Sequence, residues 1–272
     1  MGKFDGILIC TDLDGTLLRD DKTISRENLD AIAYFRANGG AFTFITGRMP
    51  FYVADTLAAL GNYPFGCING GGIYDPRAGK YLFTQDPLSP LALELLDYIE
   101  REMPEAGFQI NTFEHLYYCK QTEAQEIFRR MTGTPLLLCH HREIREPMAK
   151  AIFVDSPENI TRVAALLAAH PLSSEFDVVQ SAPTLLEILS KGIDKGFLIP
   201  KMAEIFGTTV EKTVAVGDFD NDIGMLRSAG VGVAVANAIP EAKAAADYVT
   251  VSNQDHAIAA IIRDIENGKI HI

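Results

Sequence analysis

Ile7-Leu8-Ile9-Cys10-Thr11-Asp12-Leu13-Asp14-Gly15-Thr16 is the stretch on which the reading of this chain turns. The short continuous apolar run from Ile7 to Thr11 is the pattern of a strand buried on both faces, because no polar residue alternates to mark a solvated side. Two carboxylates at i and i+2 follow directly, and Gly15 lets the chain turn away. Carboxylates just past the end of such a strand can reach the crevice above a parallel sheet, where open α/β sheets gather ligands. Taken alone, the pair also fits an acidic Asx-turn, a common surface feature.

Working outward, strands and helices alternate. Ser25 reads as an N-cap, followed by Leu29, Ile32, Ala33 and Phe35 on a helical period and by Gly39-Gly40 as a stop. Ala41 to Thr46 is a second β-rich run, Pro50 opens a helix ending near Gly61, and Gly66-Cys67-Ile68 is a third short strand. The last third repeats the rhythm. A helix is expected over 195–206, a strand over 213–216, a helix over 222–228, strands over 231–235 and 248–251, and a closing helix over 255–266. This alternation predicts an α/β core built on a parallel sheet covered on both faces. Between the two halves the helices 91–102, 122–130 and 157–169 lie among strand-like runs at 115–119, 135–139, 149–154, 176–180 and 185–189. That pattern predicts an α+β insert. The expected organisation is a discontinuous core, 1–81 with 190–272, interrupted by a second domain over 82–189.

Other segments carry chemistry. Gly217-Asp218-Phe219-Asp220-Asn221-Asp222 follows the strand at 213–216, and three carboxylates in five residues repel one another unless solvated or holding a cation. Oxygen donors of this kind suit a hard divalent ion. A calcium loop of the EF-hand type fails on position, since glycine falls at the seventh place and Ala229 stands where a bidentate glutamate is needed. Mg²⁺ held by a few carboxylates and a phosphate fits better. Thr46-Gly47-Arg48 ends the second strand and offers a hydroxyl and amides to a phosphate, and Lys195 opens a helix just after the insert. Cys139-His140-His141 looks metal-like, yet neighbours on a strand point to opposite faces and chelate poorly.

The acidic pair, Thr-Gly, lysine and acidic cluster stand in an order that resembles the four motifs of the haloacid dehalogenase superfamily. The likeness continues through Gly230-Val231-Gly232-Val233-Ala234-Val235, Asn237-Ala238, Ala246-Asp247-Tyr248-Val249-Thr250 and Asn253, which are similar to the Cof-type phosphatases with a C2 cap. The resemblance implies a Rossmann-like, doubly wound core with an inserted C2-type cap, and a Mg²⁺-dependent phosphatase acting on small phosphorylated metabolites such as sugar phosphates. It implies Asp12 as nucleophile forming an aspartyl-phosphate and Asp14 as general acid and base. The ion falls to Asp12, Asp14 through its backbone carbonyl, Asp218 and Asp222, and the phosphoryl oxygens to Thr46, Gly47 and Lys195. Asn221 would orient phosphate or Lys195, and Arg48 would face substrate. In the insert His115, Arg142, Arg145 and Lys150 are candidate substrate contacts. A phosphomutase similar to phosphomannomutase, or a binding protein without turnover, would carry much of the same pattern. Phe219 is bulkier than the residue usual in relatives, and His256-Ala257-Ile258 replaces a common Gly-Val pair.

Composition sets the outer bounds. The chain has 272 residues, 47% apolar and 22% charged, ordinary for a folded globular protein of about two domains. No apolar run reaches the length of a membrane span, and the five apolar-rich residues after Asp5 are too short for a signal peptide. Four scattered cysteines without a C-x-x-C pair suit a reduced, cytoplasmic protein; a monomer or homodimer is a separate expectation. A formal charge of −12 argues against nucleic acid or an anionic membrane as partner. Five of the 36 acidic residues fall in the two site motifs, so the anion-binding chemistry depends on a cation and Lys195 reversing the local sign.

Overall fold

A computed structural model describes residues 2–272, and the chain divides into two compact units, 1–84 with 194–272 and 85–193. The first segment runs through β1 (Leu8–Thr11), α1 (Arg26–Ala37), β2 (Ala41–Phe44) and α2 (Ala54–Leu60), then β3 (Phe65–Cys67), β4 (Gly72–Asp75) and β5 (Lys80–Thr84). The second unit contains α3 (Ala92–Glu102), β6 (Phe108–Thr112), β7 (Leu116–Lys120), α4 (Glu123–Thr132), β8 (Met148–Val154), α5 (Pro157–Ala169), β9 (Phe176–Ala182) and β10 (Leu185–Ser190). The chain then returns through α6 (Ile199–Ile205), β11 (Thr213–Gly217), α7 (Ile223–Ser228), β12 (Val231–Ala234), α8 (Pro240–Ala245), β13 (Tyr248–Val249) and α9 (Ala257–Glu266).

In the first unit a five-stranded sheet has the order β13-β12-β11-β1-β2, every pair parallel. All residues of β1, β11 and β12 are buried, so both faces of the sheet are covered, as their unbroken apolar sequences require. The first segment builds outward from β1 on one side and the returning segment from β11 on the other. The strand order therefore reverses between β1 and β11, which makes their carboxyl ends the switch point where ligands bind in such sheets. The register sets Thr11 beside Val216, so the motifs that follow the two strands emerge side by side. Helix α1 begins as its sequence indicates, with Ser25 Oγ accepting from the Asn28 amide at 3.2 Å, a cap worth about 1 kcal/mol. The side chain of Asn28 in turn accepts from the Ala259 amide at 3.0 Å and ties α1 to α9.

The second unit is a five-stranded antiparallel sheet of order β7-β6-β8-β10-β9. Helix α3 buries Ala92, Leu95, Leu96 and Ile99 at helical spacing. These pack with Ile160 and Val163 of α5 against Phe108, Ile110, Phe153 and Ile188 of the sheet. Among the described residues no helix is long and apolar enough to cross a membrane.

Several expected elements differ. Residues 135–139 form no strand: one isolated bridge, Tyr118 to Leu138, is all that pairs there, while the strand beside β7 is the unexpected β6. The mixed polar sequence Phe108-Gln109-Ile110-Asn111-Thr112 hides β6, because Gln109 and Asn111 are polar yet buried, Gln109 Nε2 donating to Asn111 Oδ1 at 3.2 Å. The run at 66–68 does not join the parallel sheet. As part of β3 it pairs antiparallel with β4 and meets the large sheet only through an Ile45–Gly66 bridge. Both helices expected after proline or lysine, 50–61 and 195–206, start as short 3₁₀ turns before α2 and α6. Helix α8 and strands β4 and β5 are further elements that the sequence pattern does not mark.

The turn after β3 brings the two core segments together. Gly70 has φ +103°, and a Cβ there would lie 2.0 Å from the carbonyl oxygen of Asp194. Gly79 also has a positive φ, +63°, but faces open space. Gly70→Ala should therefore cost about 3 kcal/mol or more in urea unfolding, against about 1 kcal/mol for Gly79→Ala. Equal losses would show that the Gly70–Asp194 approach is not a constraint.

Candidate active site

Asp12 stands one residue past β1, where its amide continues the ladder by donating to the Val216 carbonyl at 2.8 Å. Its side chain is only 9% exposed. Lys195, fully buried, donates from Nζ to Asp12 Oδ1 at 2.5 Å and to Asp222 Oδ1 at 2.6 Å. The other oxygen of Asp222 accepts the amides of Asp218 at 2.8 Å and Phe219 at 3.0 Å. Asp222 thus closes the loop after β11 with one oxygen and anchors the lysine with the other. Oxygens of Asp12, Asp218 and Asp222 all lie within 4.8 Å of one another.

The electrostatics follow from this crowding. Burial drives the Asp12 carboxyl well above the ordinary range. Lys195 pulls it back only in part, while Asp222, Asp218 and Asp14 push it further up. Asp218 is raised to about 7, first by burial and then by the charge of Asp222, although Thr16 Oγ1 donates to it at 2.6 Å. Burial acts to lower Lys195, yet the Asp12 and Asp222 charges outweigh it and the ammonium is held more firmly than in water. With all three carboxylates ionised, the set and its lysine carry two net negative charges. A divalent cation cancels them. The donor set is all oxygen, partly buried and pre-gathered, and so fits a hard ion such as Mg²⁺.

Asp14 faces a different partner. Its carboxylate accepts a bidentate pair from Arg48, Nε to Oδ2 at 2.9 Å and Nη2 to Oδ1 at 2.8 Å, and a further bond from Lys22 at 2.8 Å. Burial works to raise its pKa, but the hydrogen bonds and charge of Arg48, then Lys22, hold it below the ordinary value. Asp12 and Asp14 therefore have opposite environments two residues apart. The turn between the motifs needs Gly15, whose φ is +81° and whose Cβ would sit 2.5 Å from Asp218 Oδ2.

Thr46 is buried one residue beyond the Ile45 bridge, its Oγ1 accepting from the Arg48 amide at 3.2 Å. Asn221 donates from Nδ2 to Asn69 Oδ1 at 3.0 Å, and Asn69 also packs against Gly47, where a Cβ would meet its Oδ1 at 2.9 Å. The lining thus joins Thr46, Gly47, Asn221 and Asn69. The sequence pattern assigns no role to Asn69, Thr16 or Lys22. Asn69 sits in Asn69-Gly70-Gly71-Gly72 with φ +51°, a conformation asparagine tolerates, and that run was its signal. Asn237 fixes the turn of the first motif by donating to the Gly15 carbonyl at 2.8 Å. Phe219 contributes its amide to the Asp222 loop, and His256 lies at the start of α9, 3.5 Å from Glu27.

In the second unit, three of the candidate contacts have other partners. Lys150 is buried and bonded to Glu187 at 2.6 Å, Arg142 clasps Asp97, and His115 Nδ1 lies 3.0 Å from Glu146. Arg145 is exposed.

Comparison with known proteins gives this geometry its setting. The chain is 29% identical over 297 residues to the 5-amino-6-(5-phospho-D-ribitylamino)uracil phosphatase YwtE of Bacillus subtilis, the match covering 96% of this chain and 98% of that one. It is 28% identical to the pyridoxal phosphate phosphatase YbhA of Escherichia coli, covering 94% and 97%. A crystal structure of a haloacid dehalogenase-like hydrolase from Bacteroides thetaiotaomicron superposes with a TM-score of 0.79 at 25% identity, covering 95% and 99%. The sequence profile of the haloacid dehalogenase-like hydrolases matches residues 9–262, from β1 into α9, and the chain belongs to that family.

Proposed function

We propose that this hydrolase is a phosphatase that cleaves monoesters of small phosphorylated metabolites through a covalent aspartyl-phosphate. The observation that carries the reading is the partly buried trio Asp12, Asp218 and Asp222 with Lys195 on Asp12 at 2.5 Å. Relatives named as phosphatases of a phosphoribityl compound and of pyridoxal phosphate support the substrate class. Four free cysteines support a reducing, cytoplasmic setting.

Asp12 is the nucleophile. An oxygen of its carboxylate forms a bond to phosphorus as the ester P–O bond breaks, and Asp14 gives the departing alkoxide its proton. Asp14, now ionised, takes a proton from water, whose oxygen displaces Asp12 and releases phosphate. Arg48 and Lys22 favour the ionised form of Asp14, which suits the second step. For the first step Asp14 must leave the Arg48 clasp, and an arriving phosphate is an anion able to compete for that guanidinium. Mg²⁺ would be held by Asp12, Asp218 and the Asp14 backbone carbonyl, with Asp222 as a further ligand or, through Lys195 and the loop amides, as their support. When bound, it offsets the negative charge of carboxylates and phosphoryl group alike. Lys195, the Thr46 hydroxyl and the Gly47 amide hold phosphoryl oxygens, and Asn221, braced by Asn69, orients them.

Asp12→Asn should leave the fold intact and reduce turnover of p-nitrophenyl phosphate by roughly 10³-fold or more. Activity surviving that change would exclude Asp12 as nucleophile. Stripping divalent ions with EDTA should abolish turnover and added Mg²⁺ should restore it; an indifferent enzyme would remove the ion from the scheme. For Asp14→Asn the loss should be about 10²–10⁴-fold on a sugar phosphate and much smaller on p-nitrophenyl phosphate, whose leaving group needs little protonation. Equal losses on both esters would rule out proton donation by Asp14.

A further inference from the structure

The second unit holds a group of side chains with a different chemistry. Ligand atoms of Glu100, His140 and His141 lie within 4.8 Å of one another, far along the chain from the carboxylate trio and all inside the unit 85–193. We propose that these three residues bind a borderline transition ion, zinc above all, as a clip between α3 and the segment before β8. Two nitrogens and one carboxylate oxygen are a donor set for zinc and its neighbours rather than for magnesium.

The failure of residues 135–139 to form a strand makes this possible. His140 caps a short 3₁₀ turn, His141–Glu143, so the consecutive rings do not point to opposite faces. They stack, with centroids 4.3 Å apart and planes 24° apart. A second observation concerns His141, which is 1% exposed. Its Nε2 lies 2.6 Å from Asp97 Oδ1, and Arg142 Nε donates to the same carboxylate at 2.8 Å. An ionised Asp97 accepts the Nε2 proton and leaves the Nδ1 lone pair for an ion. Carboxylate behind, imidazole between and metal in front is the arrangement that orients ligating histidines. Asp97 and Glu100 are three residues apart on α3, hence on one face.

Binding has two identifiable costs. Lys120 Nζ, 3.8 Å from Glu100 Oε1, must yield the carboxylate. His140 Nδ1 accepts from the Arg142 amide at 3.2 Å, and ligation either takes that lone pair or moves the ring proton onto it, so the cap bond is given up. Donors around tetrahedral zinc are about 3.4 Å apart, so the three groups must also draw together slightly.

The test is zinc binding to the whole protein in excess Mg²⁺, read by calorimetry, with Co²⁺ absorption reporting nitrogen and oxygen ligation. Wild type should take up one zinc equivalent more than His140→Ala or Glu100→Gln, whose side chains are not in the core and whose metal-free melting should be unchanged. Asp97→Asn, with every ligand present, should weaken zinc by about 10–100-fold. His115→Ala, which breaks the separate Glu114–His115–Glu146 group, should bind as wild type does. No zinc uptake by wild type, equal uptake by His140→Ala and Glu100→Gln, or loss of uptake in His115→Ala would each overturn the assignment.

Discussion

The ammonium of Lys195, buried without access to water and held between Asp12 and Asp222, is the interaction on which the core depends. Removing one partner from such a buried arrangement typically costs 3–5 kcal/mol, because an uncompensated charge remains inside. The three groups come from the end of β1, the return from the second unit and the loop after β11, so the same contact that prepares the chemistry also fixes three segments in space. Asp222 extends this coupling by holding the Asp218 and Phe219 amides with its second oxygen. Stability and site are here one set of hydrogen bonds.

The contrast between Asp12 and Asp14 shows how one short turn gives two carboxylates different surroundings. Asp12 is buried and shares its lysine with another carboxylate, whereas the Asp14 side chain is 41% exposed and meets both an arginine and a lysine. Environment rather than residue type separates them.

Much of this was legible in the sequence because the signal was local. The apolar runs of β1, β11 and β12 announced a sheet covered on both faces, and β1 and β11 were each followed directly by carboxylates. Ser25 and Pro157 marked helix starts that the backbone respects. What stayed hidden was long-range or mixed in pattern. Strand β6 buries Gln109 and Asn111 beside Phe108 and Ile110, which defeats any reading by hydropathy. The Arg48–Asp14 clasp spans 34 residues, and the Asn69–Asn221 bond spans 152. Neither leaves a mark on local composition. The histidine pair meets a related limit: alternation of side chains holds only where a strand forms, and 135–139 pairs through a single bridge, Tyr118 to Leu138.

The bond between Asp12 and Lys195 spans 183 residues, with the whole second unit between its partners. Closing a flexible loop of that length carries an entropic cost of about 5 kcal/mol, so a second unit that has already condensed lightens the closure. During synthesis the first carboxylate motif leaves the ribosome long before its lysine exists. Until residue 195 and then 222 emerge, the growing chain carries the nucleophile of the proposed reaction without the groups that surround it. Competence therefore arrives late and nearly at once, when the third segment docks beside β1.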